Sequence, residues 1–177
     1  MRYELDRPGP HLLIKKAMTI RKNSGFTLFE LLAVIGIVAV LSAIAIPNFF
    51  SWLPKYRLGS AARNLLSAMQ YARLVAVKEN VDILVNFDPQ NDNYMLFPDY
   101  NSDEVQDGDE PTLRGIKMPG GVSLTETNFT GDRFKFNSRG LASGSGGTIS
   151  LTNNLNTLTR IRINRTGNSR ILADDEP

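Results

Sequence analysis

The chain has 177 residues, a formal net charge of +2, one His and no Cys. That length supports one domain with a real core plus one further element. The absence of Cys excludes disulfides, thiolate metal sites and a Cys nucleophile, and the single His, His11, leaves no His-based triad or multi-His metal site. The positive charge is concentrated at the start. Arg2, Arg7, Lys15, Lys16, Arg21 and Lys22 stand against Glu4 and Asp6, so residues 1–25 carry +4 and the remainder sums to −2. The basic balance therefore belongs to one short segment and is not a nucleic-acid signal for the whole chain.

From Phe26 to Trp52 the one ionisable side chain is Glu30, and Leu31–Ile46 is almost wholly apolar. Together with Phe26–Phe29 this makes about 20 residues, enough to cross a hydrocarbon core of roughly 30 Å. A helix apolar on all faces for so long reads as a membrane span. The basic residues before it place the N-terminus in the cytoplasm and the rest of the chain outside. A Sec-type signal is the competing reading. Such a signal ends in a small-residue cleavage site, which Ala43–Ala45 imitates, but its apolar core is shorter and carries no carboxylate near its start.

Beyond Pro47 and Pro54 a helical period returns: Leu58, Ala62, Leu65, Met69, Ala72 and Ala76 recur at three- and four-residue intervals. Arg57, Arg63, Asn64, Ser67, Gln70 and Arg73 occupy much of the other face. One helix from Phe26 to about Glu79, bent at Pro47, is expected, on the order of 80 Å long. After Asn80 the period falls to 2. Val81–Phe87 and Tyr94–Phe97 form a hairpin around a turn-rich Asp88–Asn93. Further strands are expected at Leu113–Met118, Val122–Thr127, Arg133–Asn137, Thr148–Thr152 and Thr159–Arg165, in a sheet with one face on the helix and one toward solvent. The expected division is residues 1–25 as a leader, 26–50 as the membrane half of the helix, 51–80 as its amphipathic half and 81–177 as an extracytoplasmic β-rich domain. The fold class is α+β.

Ser24-Gly25-Phe26-Thr27-Leu28-Phe29-Glu30-Leu31 resembles the type III signal of type IV prepilins and type II secretion pseudopilins. The resemblance implies a pilin-like fold, cleavage between Gly25 and Phe26 by a prepilin peptidase, and N-methylation of Phe26. Pro47, at the twenty-second mature position, is similar to a Pro common in pilin helices, where it would kink the helix. Prepilin leaders are usually short, and Met18 would begin an eight-residue one, so residues 1–17 are expected to come from an upstream start. Glycine at 25 suits an extended backbone entering a peptidase cleft. A carboxylate inside a membrane span is disfavoured by roughly 2–4 kcal/mol and so needs a partner. The resemblance implies that Glu30 pairs with the terminal amine of a neighbouring subunit during assembly. Solvation of Glu30 at headgroup level is the plainer alternative.

Met69-Gln70-Tyr71-Ala72-Arg73-Leu74-Val75-Ala76 is similar to the amphipathic segment of minor pilins and pseudopilins of the GspH/FimT type. Phe136–Gly140, Gly147–Leu151 and Ile161–Gly167 resemble that family's late strands. The resemblance implies a low-abundance subunit at the tip of a type II secretion pseudopilus, supporting protein export. The alternative is a minor pilin of a type IV pilus, with DNA binding in natural transformation. Partners implied are other pilin or pseudopilin subunits, prepilin peptidase, the inner-membrane assembly platform and membrane lipid. The implied location is the bacterial inner membrane, single-pass, with the C-terminal domain periplasmic.

Three weaker signals have plain readings beside them. The acidic loop Asn101–Glu110 offers oxygen ligands for Ca²⁺, chiefly Asp103, Asp107 and Asp109, but lacks EF-hand spacing and reads as a solvated loop. Arg160, Arg162, Arg165 and Arg170 form a basic cluster. Some family members bind DNA through Gly-Arg-x-Arg near this end, but here Gly167-Asn168-Ser169-Arg170 lacks the first Arg. Asp174-Asp175-Glu176 further opposes phosphate, so DNA is not an expected partner. No phosphate loop, no Gly-x-Ser-x-Gly elbow and no His after His11 suggest catalysis, and neither an enzyme nor a cofactor is expected.

Overall fold

The structure is a computed structural model that describes residues 25–172. The expected leader (residues 1–24 of it) and Asp174-Asp175-Glu176 lie outside the described residues. The chain separates into two compact units, one ending at Ser42 and the other beginning at Ala43.

A single helix, α1 (Leu28–Glu79), contains both Pro47 and Pro54. Proline at 47 removes the N–H that would bond the Ala43 carbonyl. Next to it, the Asn48 side-chain amide donates to the Ile44 carbonyl (3.2 Å) and the Ser51 hydroxyl donates to the Asn48 carbonyl (2.9 Å). Polar side chains thus bond backbone carbonyls on either side of the proline. Up to Tyr56 no helix residue is buried. From Leu58 onward Leu58, Ala61, Ala62, Leu65, Ala68, Met69, Ala72 and Ala76 are buried, as the 3.6-residue period requires. Five of these eight are Ala, which lets the sheets approach the helix backbone closely.

Eight strands follow: β1 (Asp82–Asp88), β2 (Asn93–Asp99), β3 (Arg114–Lys117), β4 (Val122–Thr127), β5 (Arg133–Phe136), β6 (Gly146–Asn153), β7 (Leu158–Asn164) and β8 (Ser169–Ile171). They make two antiparallel sheets, in orders β3-β2-β1-β5 and β4-β6-β7-β8. The fold is α+β, a long N-terminal helix whose second half packs on antiparallel sheets. Ile83, Val85, Phe87, Tyr94, Leu96, Phe134 and Phe136 from the first sheet share one core with Leu124, Ile149, Leu151, Ile161 and Ile163 from the second and with the helix. Asp92 joins the sheets: its carbonyl accepts from Met118 N (2.7 Å) and its carboxylate from Leu124 N (2.9 Å).

Two expectations are corrected. The single expected sheet is two, because β4 pairs with β6 rather than with β3, and β8 is an added edge strand too short to show alternation. The far face of the first sheet is not open to solvent. Leu84 and Phe97, paired across β1 and β2, are buried there outside the main core, on the face where Lys135, the β5 partner of Leu84, meets the acidic loop. The loop is held by Lys135 Nζ, which meets Glu104 Oε1 (3.3 Å) and Asp82 Oδ2 (3.5 Å), and by Arg133 Nη1, which donates to the Glu104 carbonyl (3.2 Å).

Tyr94 is buried, and its hydroxyl has no hydrogen-bond partner among the described residues. Burial pushes this phenol up to about 12, against a weaker opposing pull from the Arg114 guanidinium. An unfolded phenol ionises near 10, so Tyr94 contributes stability that is complete below about pH 10 and lost as pH rises toward about 12. Lys135 acts in the same direction. Burial works to lower its ammonium, but Glu104 and Asp82 outweigh burial and raise it, so its contribution is lost as pH rises through that raised value. Tyr94→Phe should therefore still unfold in alkali, but at a higher pH, with about 2–3 kcal/mol less stability lost between pH 10 and 12. Circular dichroism melts across that range check it; an unchanged alkaline midpoint contradicts the assignment.

Candidate processing and assembly site

The chain enters α1 through Gly25-Phe26-Thr27, all exposed. Thr27 is the N-cap: its Oγ1 accepts from Glu30 N (3.2 Å), and its carbonyl accepts from Leu31 N (3.1 Å). Thr27-x-x-Glu30 has the spacing of a capping box, a signal that sequence reading spent on processing alone. The cap uses the backbone of Glu30. Its carboxylate is exposed in the first turn and has no hydrogen-bond or ion-pair partner among the described residues. A Cβ placed on Gly25 would meet nothing within 4 Å, and Gly25 does not occupy the left-handed region. Among the described residues nothing therefore demands glycine at 25. From Phe26 to Phe50 almost every large apolar side chain is exposed, and this part of α1 is long and apolar enough to cross a membrane.

A second constellation was not anticipated. Asn137-Ser138-Arg139-Gly140 and Asn164-Arg165-Thr166-Gly167 are two turns of one design. In each, the Asn carbonyl accepts from the Gly N–H (2.7 and 2.9 Å) and the Asn Oδ1 accepts from an amide four residues on, Leu141 (3.0 Å) or Asn168 (2.9 Å). Gly140 (φ 72°) and Gly167 (φ 78°) sit in the left-handed region. Arg73 grips both turns from α1: Nε donates to the Gly140 carbonyl (3.0 Å) and Nη2 to the Thr166 carbonyl (3.2 Å). A Cβ on Gly140 would come within 2.9 Å of Val77 Cγ2, and one on Gly167 would overlap the Gly140 carbonyl oxygen. Three of the four segments singled out in the sequence, those around Arg73, Gly140 and Gly167, thus converge on one junction. Recurrence of Asn-x-x-Gly was the available signal.

The remaining candidates resolve differently. In the acidic loop, the Asn101 amide donates to Asp103 Oδ2 (3.0 Å) and Asp107 Oδ2 (2.9 Å), and Asp103 Oδ1 accepts from Val105 N (2.8 Å). Glu110 is buried and accepts from Tyr100 N and Asp107 N. The carboxylates shape the loop, and no group of three or more acidic or His side chains among the described residues is arranged to hold a metal, Asp103, Asp107 and Asp109 included. Arg162 and Arg170 are register partners across β7 and β8, both exposed, while Arg165 lies in the turn between them. Neither Arg160 nor Arg170 is without a partner.

A prepilin-type segment leading an apolar helix whose amphipathic half packs on antiparallel sheets defines a type IV pilin-like protein. Two family profiles match: a prokaryotic N-terminal methylation motif over residues 20–46, bracketing Gly25 and Phe26, and the Type II transport protein GspH over residues 61–167. The chain belongs to the GspH family. It is 37% identical over 87 residues to the pilin-like protein PilA1 of Thermus thermophilus, covering 49% of this chain and 54% of that one. It is 46% identical over 44 residues to the type IV major pilin protein PilA of Myxococcus xanthus, covering 25% and 20%. The chain thus spans about half of one of these relatives and a fifth of the other. Among solved structures it resembles the minor pseudopilin EpsH from the type 2 secretion system of Vibrio cholerae (14% identity, TM-score 0.54, covering 68% of this chain and 99% of that one). It also resembles the type IV minor pilin FimU of Pseudomonas aeruginosa (16%, TM-score 0.57, 69% and 92%). At such identities the likeness speaks for the fold.

Proposed function

We propose that this chain is a minor pseudopilin of type II secretion, cut between Gly25 and Phe26 by a prepilin peptidase, N-methylated at Phe26 and incorporated near the tip of a pseudopilus. The single observation that carries the reading is the succession along one chain of an N-terminal methylation motif and a GspH domain. Before cleavage the chain sits in the inner membrane, the N-terminus held in the cytoplasm by Arg21 and Lys22 and the β-rich domain in the periplasm. The assembly platform then draws it out of the lipid into a bundle of helices. Glu30 meets the new amine of a neighbouring subunit, a charge pair worth far more in a low-dielectric bundle than in water. The likeness to FimU supports a second reading, a minor pilin of a type IV pilus.

Mass spectrometry of the chain recovered from sheared filaments should find Phe26 as the N-terminal residue carrying one methyl group. Replacing Gly25 with Val should leave the precursor uncut, although the fold tolerates a side chain there. A mature terminus elsewhere, or normal cutting of Gly25→Val, sinks the processing assignment. Deleting the gene should abolish export of secreted proteins while surface pili persist; the opposite pair of outcomes selects the second reading.

A further inference from the structure

Between the apolar span and the first buried residue of the domain, Leu58, four aromatic side chains crowd one short stretch of α1. Phe49, Phe50, Trp52 and Tyr56 are exposed by 53, 68, 54 and 53%. Phe49, Trp52 and Tyr56 fall at i, i+3 and i+7, one stripe of the helix. Trp52 and Tyr56 stack with centroids 4.9 Å apart, Phe49 lies 6.4 Å from Trp52, and Phe50 meets Phe49 edge-on at 6.3 Å. None of the four belongs to the hydrophobic core, so domain packing does not account for them.

Their order carries information. From Leu28 to Ile46 the helix supplies about 19 residues, roughly 28 Å of rise, the thickness of a hydrocarbon core. Beyond Pro47 and Asn48, with Ser51, Leu53 and Pro54 interspersed, the ring and charged side chains run from two Phe rings to a Trp with one N–H donor, then Lys55, a Tyr with a hydroxyl, and Arg57. Arg57, beyond the stripe, already bonds the domain, its Nη1 donating to the Gly120 carbonyl (3.0 Å). A bilayer boundary changes in the same order, from acyl chains to hydrated headgroups. Trp and Tyr favour that boundary because the ring stays in the apolar layer while the N–H or O–H reaches headgroup and water.

We propose that Phe49, Phe50, Trp52 and Tyr56 form an anchor for the lipid headgroup boundary on the side of the membrane that holds the β-rich domain, fixing how deep the unassembled chain sits. The proposal rests on the membrane-anchored reading above and adds the depth at which the chain stops. The stacked rings serve as one rigid collar, so the depth is set by a group of side chains rather than by one.

Trp52 is the chain's sole tryptophan, so its fluorescence reports this place directly. The full chain would be reconstituted in phosphatidylethanolamine–phosphatidylglycerol vesicles whose acyl chains carry bromine either close to the glycerol or close to the terminal methyl. Vesicle flotation establishes insertion. Trp52 emission should then be quenched roughly twofold more by the shallow bromines. The Ile37→Trp, Trp52→Phe double variant moves the probe to the middle of the span and should reverse that preference. Trp52 best quenched by the deep bromines, or unquenched by either in floating vesicles, overturns the anchor while leaving the membrane reading intact. Failure to float overturns both.

Discussion

Glu30→Ala is expected to leave cutting after Gly25 unchanged and to lower the chain's content in sheared filaments on the order of tenfold or more. The local structure separates these outcomes. The bond that starts α1 runs from the Glu30 backbone N–H to Thr27 Oγ1, and alanine keeps it. What alanine removes is a carboxylate without a partner among the described residues, which is disfavoured in lipid by roughly 2–4 kcal/mol. The variant subunit is therefore more at ease in the membrane and has less to gain by leaving it. Thr27→Ala is the matched control. It should weaken the helix start by about 1 kcal/mol yet still assemble. Immunoblots of membranes and sheared filaments, with the processed form resolved from the precursor, give both readouts. Normal incorporation of Glu30→Ala would show that the carboxylate is merely solvated at headgroup level.

The legible and the hidden parts of this molecule divide by the range of the forces involved. The N-terminal methylation motif, within which Gly25, Phe26 and Glu30 fall, was readable because it is contiguous in the chain. The helix was readable through Glu79 because Leu58, Leu65, Met69 and Ala76 repeat at its own period, and Pro47 and Pro54 lie within it without ending it. Strands β1 to β7 were all expected from the sequence, though only some of them by clear alternation. The partition into two sheets was not, since whether β4 pairs with β3 or β6 is settled by nonlocal backbone bonds. Nor was the covered back face. Leu84 and Phe97 sit inside apolar runs that read equally well as one-sided strands. The least legible feature was Arg73. As the polar side of an amphipathic helix it looks solvated, yet its guanidinium reaches carbonyls 67 and 93 residues away.

That reach makes Arg73 and the glycines it faces the most sensitive points of the domain. Arg73→Ala deletes two charge-assisted hydrogen bonds and leaves two turn carbonyls without their donor, a loss of about 3 kcal/mol or more. Arg73→Lys should fall between, because an ammonium on a flexible stem is a point donor and cannot span the Gly140 and Thr166 carbonyls as a planar fork does. Gly167→Ala should be worse than either, by more than about 4 kcal/mol. It combines a left-handed backbone with a Cβ driven into the Gly140 carbonyl, and nearby backbone cannot yield as a side-chain tip could. Thermal melts of the three variants in detergent should follow that order. Hydrogen exchange tells a local clamp from general weakening. In Arg73→Lys the amides of Gly140 and Gly167, which bond Asn137 and Asn164 within their own turns, should lose protection first, while those pairing β1 with β2 keep theirs. Uniform loss across both sheets would mean that Arg73 is ordinary surface and that the turns hold themselves. Cutting after Gly25 should proceed normally in every one of these variants, because the peptidase acts on a segment that the clamp does not touch.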